Sequence, residues 1–175
     1  KGKYINFLMA DDLFDINKLE NQINIFEKLD NSYGVVYGPT TIINEKLNTK
    51  YLSSVVKING EALKIQLNKN LEYGHINFNS ALIKKECLQN HPMLEDIFIE
   101  TESIFLCFAL NYKFYFDDKP VCYFREHDTN IGKKIFDNLE RHLKRINLLK
   151  KINLKEKKWK NKNIEKYKGN IIFNI

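Results

Sequence analysis

Residues 4–12, Tyr4-Ile5-Asn6-Phe7-Leu8-Met9-Ala10-Asp11-Asp12, decide the fold. Tyr4–Leu8 is a short aromatic and aliphatic run with the composition of a buried strand. It ends directly on an acidic pair. Beyond the pair, Ile16, Leu19, Ile23 and Phe26 recur at steps of three and four, which predicts an amphipathic helix with Asp15 as its N-cap. A strand, an acidic turn and a helix in succession point to the α/β class, where ligands gather at the carboxyl ends of strands.

Downstream, Asp30-Asn31-Ser32 breaks the helix, and Tyr33–Ile43 has strand character with a Gly38-Pro39 interruption. Residues 44–70 mix polar loop with short helix. Asn77–Cys87 predicts a strand end leading into a short helix that His91-Pro92 stops. Glu100–Leu110 predicts a helix whose second half is apolar all round and therefore buried. Tyr112–Phe116 and Val121–Arg125 predict two strands joined by the turn-like Asp117-Asp118-Lys119-Pro120. A further helix is expected from Lys134 to Lys151, with a basic face, before a Lys/Asn-rich stretch around Trp159.

The chain has 175 residues, 43% hydrophobic and 29% charged, an ordinary globular balance that excludes wholesale disorder. No run approaches the ~18–20 apolar residues of a membrane span. Cys87, Cys107 and Cys122 lack paired spacing, which excludes a zinc framework and fits reduced, buried thiols and a cytoplasmic location. The net charge of +6 is uneven: Lys133–Lys168 holds 14 Lys and Arg against 4 Asp and Glu, leaving 14 against 18 elsewhere. Such a basic helix suits anionic lipid headgroups at the inner face of a membrane, or is a solvated lysine face. Arg is scarce and aromatics are few in it, which disfavours nucleic acid.

Three groups of residues have the chemistry of a site. Asp11 and Asp12 are adjacent carboxylates, which repel unless a cation joins them; Mg²⁺ or Mn²⁺ would do so and could grip a diphosphate as well. The same pair also suits a plain loop at a helix start, where the dipole favours acids. His127, in Arg125-Glu126-His127-Asp128 after the last strand, fits either a metal ligand or a surface histidine. Glu95, Asp96, Glu100 and Glu102 flank the buried helix, where a carboxylate could serve as general base or simply stabilise the helix start.

In order and spacing, KGKYINFLMADDLFDINKLENQINIFEKL (1–29), NSALIKKE (79–86), ETESIFLCFAL (100–110) and YKFYFDDKPVCYFREH (112–127) resemble the family 2 glycosyltransferases of the GT-A fold, the nucleotide-diphospho-sugar transferase fold. The likeness covers residues 1–133, least well at 44–70, and implies a partial GT-A domain there with a basic helical tail at 134–175. It implies sugar transfer from a nucleotide-sugar donor to a glycan or lipid-linked acceptor, in polysaccharide, lipopolysaccharide or glycan assembly. By the same resemblance Asp11 holds a Mg²⁺ or Mn²⁺ ion at the donor diphosphate with Asp12 beside it. His127 is a further metal or diphosphate contact, and the stretch 112–127 is a closing hairpin.

Three departures accompany the likeness. Met9 stands where the family's leading aspartate falls. Thr101 replaces the aspartate of the family's Glu-Asp pair, leaving Glu100 or Glu102 to act as base. The family's nucleotide-binding half, three β-α units or ~90 residues, precedes the matched region. These 175 residues by themselves are therefore expected to be inactive, Tyr4–Leu8 is expected in a parallel sheet with an exposed edge, and a non-catalytic glycan- or partner-binding remnant is the alternative.

Overall fold

A computed structural model describes residues 2–63, 65, 66, 76–89 and 101–130. The expected 134–175 tail and its helix, the His91-Pro92 stop, Glu95, Asp96 and Glu100 lie outside the described residues. Within them the chain is mixed α/β, built on two sheets. Its strands are β1 (Tyr4–Asn6), β2 (Leu13–Phe14), β3 (Tyr33–Tyr37), β4 (Thr40–Asn44), β5 (Thr49–Leu52), β6 (Gly60–Glu61), β7 (Leu82–Lys84), β8 (Lys113–Phe116) and β9 (Cys122–Glu126). The helices are α1 (Lys18–Lys28), α2 (Lys85–Gln89) and α3 (Thr101–Phe108), with a 3-10 turn at Phe78–Ser80.

The larger sheet runs β1-β7-β3-β8-β6 and the smaller β2-β9-β4-β5. In the larger sheet, alternation along each strand divides the core. Val35 and Ile83 face the side packed by Phe78, Phe105, Phe108 and Phe114. Val36 and Leu82 face the opposite side, where α1 delivers Phe26. The sheet is thus buried on both faces, as the near-continuous apolar runs of β3 and β7 require. Gly34 lies where no side chain fits: a Cβ there would stand 2.6 Å from both Cys87 Sγ and the Tyr112 ring.

Two expectations about strand pairing are corrected. Tyr112–His127 is not a hairpin. β8 pairs in parallel with β3 in the larger sheet, and β9 pairs in parallel with β4 in the smaller. Asp117–Pro120 carries the chain from one sheet to the other, beside the matching β3–β4 link. Asp117 N–H donates to Tyr37 O at 2.8 Å and Val121 N–H to Pro39 O at 3.1 Å. Gly38 permits the two links to lie together, because a Cβ there would come within 2.7 Å of Lys119 O.

The second correction concerns β1, which is antiparallel to its neighbour, with Ile5 opposite Ile83. β7 inserts between β1 and β3 and pairs antiparallel with both. β1 does close one end of the sheet, and among the described residues no strand covers its outer edge. The strand is also shorter than expected, because Phe7 leaves the sheet to stack on Phe78, with ring centroids 4.3 Å apart.

Helix α1 keeps Phe26 buried and Ile23 packed beside it, as its period predicts, and departs from the expected face elsewhere. Ile16 precedes it and is 94% exposed, while the residues it buries are Lys18, Gln22 and Phe26. Asp15 does not cap it: Asn17 precedes the first turn, and Asp15 Oδ1 accepts from Asn17 N–H at 3.0 Å in the turn before. The difficult 44–70 stretch contains β5, a strand antiparallel to β4, and β6, whose Gly60 at φ 116 pairs with Phe114. Cys87, Cys107 and Cys122 are free and buried, as expected. No helix of the described residues is long and apolar enough to cross a membrane.

Candidate functional site

The carboxyl ends of β1 and β9 are drawn together by β2, which follows the acidic pair and lies antiparallel to β9, with Leu13 opposite Tyr123 and Phe14 opposite Cys122. The two carboxylates of the pair then take opposite directions. Asp12 turns inward and is only 4% exposed. Its Oδ1 accepts from the Arg125 backbone N–H at 3.0 Å, and its Oδ2 accepts from Asn79 Nδ2. Asn79 is itself fixed, since its Oδ1 accepts from Met9 N–H at 3.0 Å. Asp12 therefore ties the turn after β1 to β9 and to the 3-10 turn. Burial raises its carboxyl pKa and Asp11 adds to the rise, against the stabilising Arg125 and Asn79 hydrogen bonds.

Asp11 points outward. Its side chain is 42% exposed, and its Oδ2 lies 3.1 Å from His127 Nε2, a contact between residues 116 apart in sequence. The ring of His127 is held in turn by Thr129 Oγ1, 2.8 Å from Nδ1. Asn130 Oδ1 accepts from the His127 backbone N–H at 2.6 Å. Just before His127 in the chain, Arg125 is ion-paired to Glu45 at 2.5 Å, and Glu126 Oε2 accepts from Asn44 Nδ2 at 2.8 Å.

Of the residues expected at a site, the structure brings Asp11, Asp12 and His127 into one group. Glu102 stands in the first turn of α3. Among the described residues no group of three or more His, Cys, Asp or Glu side chains could hold a metal ion. That donor set is too small for a resident zinc or calcium. It fits Mg²⁺ or Mn²⁺ shared with a substrate, because such ions are bound through one or two carboxylates together with phosphate oxygens and water. Asp11 has the exposure for that role, whereas both Asp12 oxygens are occupied by hydrogen bonds.

Sequence reading missed a buried polar network behind the turn. Lys18, 1% exposed, donates to Asn6 Oδ1 and, at 2.9 Å, to Gln22 Oε1, and lies 4.5 Å from the Phe14 ring centroid. Gln22 donates to Ser80 O at 2.9 Å, and Asn6 to Asn79 O at 3.3 Å. The network thus runs from α1 through β1 to the residue that holds Asp12. Burial lowers the Lys18 pKa to about 8. The signal lay in the spacing of Lys18, Gln22 and Phe26, four residues apart on one helical face. Polar identity at two of the three positions made that face look solvent-facing.

The chain is similar to proteins named uncharacterized glycosyltransferases. One from Rickettsia felis is 32% identical over 145 residues, 80% of this chain and 24% of that protein. One from Rickettsia bellii is 31% identical over 140 residues, 77% of this chain and 20% of that protein. A shorter match, 45% identical over 51 residues, covers 29% of this chain and 16% of a Rickettsia prowazekii protein. The chain spans about a quarter of the length, or less, of the curated relatives it matches. No family model matches it. The two longer likenesses support a glycosyltransferase in general terms.

Proposed function

We propose that residues 1–133 are the carboxyl-terminal half of a family 2 glycosyltransferase domain of the GT-A fold, which transfers a sugar from a nucleotide-sugar donor to an acceptor hydroxyl in surface polysaccharide or glycan synthesis. The observation that carries this reading is the meeting of Asp11 with His127 at the carboxyl end of β1, the place where open sheets bind ligands. The residues that would hold Mg²⁺ or Mn²⁺ are Asp11, through its exposed carboxylate, and His127, through Nε2. When bound, the ion supplies Lewis acidity to the leaving nucleoside diphosphate. Asp12 keeps the turn in register with β9, so that Asp11 faces His127. The acceptor hydroxyl's proton goes to Glu100 or Glu102. The basic stretch at 134–175 is the part assigned to peripheral contact with the inner face of the membrane.

The test is binding of inorganic pyrophosphate and of nucleoside diphosphates to the purified chain, with Mn²⁺ and with chelator. Metal-dependent binding is expected, and Asp11→Asn should weaken it by at least about tenfold, the effect of losing a charged contact of about 1.5–3 kcal/mol. Binding that ignores both the chelator and the substitution would remove the metal-diphosphate role.

A second reading, a non-catalytic glycan-binding remnant, is favoured by Met9. Its side chain packs against the core and its N–H is taken by Asn79, so no carboxylate stands at that position. Glycan binding indifferent to chelator and to Asp11→Ala would select it.

A further inference from the structure

The end of the larger sheet away from Asp11 gathers lysines. β7 runs antiparallel to β1 and β3, so Lys84 at its close lies opposite Tyr4 at the opening of β1. Asn31, just ahead of β3, and Tyr112, just ahead of β8, border the same cavity of about 550 Å³, with Lys3, Lys84, Lys85 and Glu86. Lys85 N–H donates to Lys3 O at 3.0 Å, which holds the two chain segments side by side. Lys84 is the buried member, 7% exposed. Its Nζ donates to Asn31 O at 3.2 Å and stands 5.8 Å from the Phe26 ring centroid. An ammonium has three N–H donors, and among the described residues Asn31 O is the acceptor that takes one of them. The others remain to be met, and a buried ammonium calls for partners to its charge. Asp30 does not supply one: it is kept ionised first by hydrogen bonds from Ser32 and more weakly by the charges of Lys113 and Lys84.

Three lysines against Glu86 leave the cavity with a balance of +2, which a phosphate monoester, at about −1.5 to −2, neutralises. Lysine grips phosphate as a point charge, and the planar fork by which arginine selects carboxylates is absent from this wall. The volume falls within the ~300–1,000 Å³ of small-molecule sites, so there is room for the group that carries the phosphate. We propose that this cavity is a phosphate-monoester site, separate from the Asp11 turn, in which Lys3, Lys84 and Lys85 meet the phosphate and Glu86 accepts from hydroxyls on the rest of the ligand.

The experiment is titration calorimetry on the full chain in chelator, with glucose 6-phosphate and inorganic phosphate as probes. A parallel arm is sedimentation with phosphatidylcholine vesicles carrying phosphatidic acid. Glucose 6-phosphate should bind, and more tightly than inorganic phosphate. Lys84→Met, which keeps the apolar stem beside Phe26, should weaken it by at least about tenfold. Lys3→Gln combined with Lys85→Gln, which alters no buried side chain, should do the same, and Asp11→Asn should change nothing. Vesicle binding that needs phosphatidic acid and is lost in Lys84→Met, without soluble binding, would keep the site and assign its phosphate to a lipid headgroup. No binding in either arm, or binding indifferent to both lysine variants, would overturn the proposal. So would phosphate binding that requires Mn²⁺ and falls with Asp11→Asn, because it belongs to the other end of β1. Phosphate held in chelator and lost with Lys84→Met is therefore distinguishable from the metal-dependent diphosphate binding of the transferase reading, and either can fail alone.

Discussion

Asp12→Ala is expected to destabilise the fold by about 3 kcal/mol, from two buried donors left without acceptors at about 1–3 kcal/mol each. The Arg125 N–H and Asn79 Nδ2 converge on that one carboxylate. Urea unfolding followed by circular dichroism measures the loss, with the midpoint falling and the slope unchanged. Asp12→Asn should cost less: its side-chain oxygen still accepts from Arg125, but its NH₂ then faces the Asn79 amide donor. Asn79 cannot simply turn over, because its own oxygen already holds Met9 N–H. Both variants should also weaken metal-dependent pyrophosphate binding, since the turn that aims Asp11 is no longer tied to the strand carrying His127. A change of less than about 0.5 kcal/mol, typical of ordinary surface substitutions, would contradict the clamp.

Phe105→Ala should be costlier, about 3–5 kcal/mol. Phe105 is 1% exposed and meets Phe78, Phe108 and Phe114 edge-on, at centroid separations of 5.9, 6.1 and 6.2 Å. These rings come from the 3-10 turn, α3 and β8, so three separate elements border the cavity and none can fill it alone. The same denaturation measurement applies. Phe105→Leu, which retains most of the buried volume, should lose markedly less.

Legibility in the sequence followed how local each signal was. The strand at residue 4, the acidic turn and the buried helix that became α3 are written in adjacent residues, by composition or by helical period. The parting of β8 and β9 into different sheets is not, because a hairpin and a sheet switch both need a polar link between two apolar runs. What separates them is the glycine at position 38, whose missing side chain admits the second link, and nothing in its neighbours discloses that. The acidic pair was visible as two candidate ligands, but the opposite fates of Asp11 and Asp12 depend on Arg125 and Asn79, distant in sequence. The Lys18–Gln22 face was misjudged for another reason. Helical patterning treats polar side chains as outward-facing, whereas here a lysine and a glutamine are buried through hydrogen bonds to each other and to Asn6 and Ser80. Ile16 took the exposed place instead.

The family resemblance places Asp11 and His127 in one metal site, whereas the residues read by themselves leave them as separate candidates. In the structure Asp11 Oδ2 lies 3.1 Å from His127 Nε2. The most direct measurement is anomalous diffraction from crystals of the chain grown with Mn²⁺ and a nucleoside diphosphate. The account predicts a manganese peak within coordinating distance of the Asp11 carboxylate and His127 Nε2, with diphosphate oxygens on the same ion. A diphosphate bound elsewhere, or bound without manganese at that pair, would contradict it.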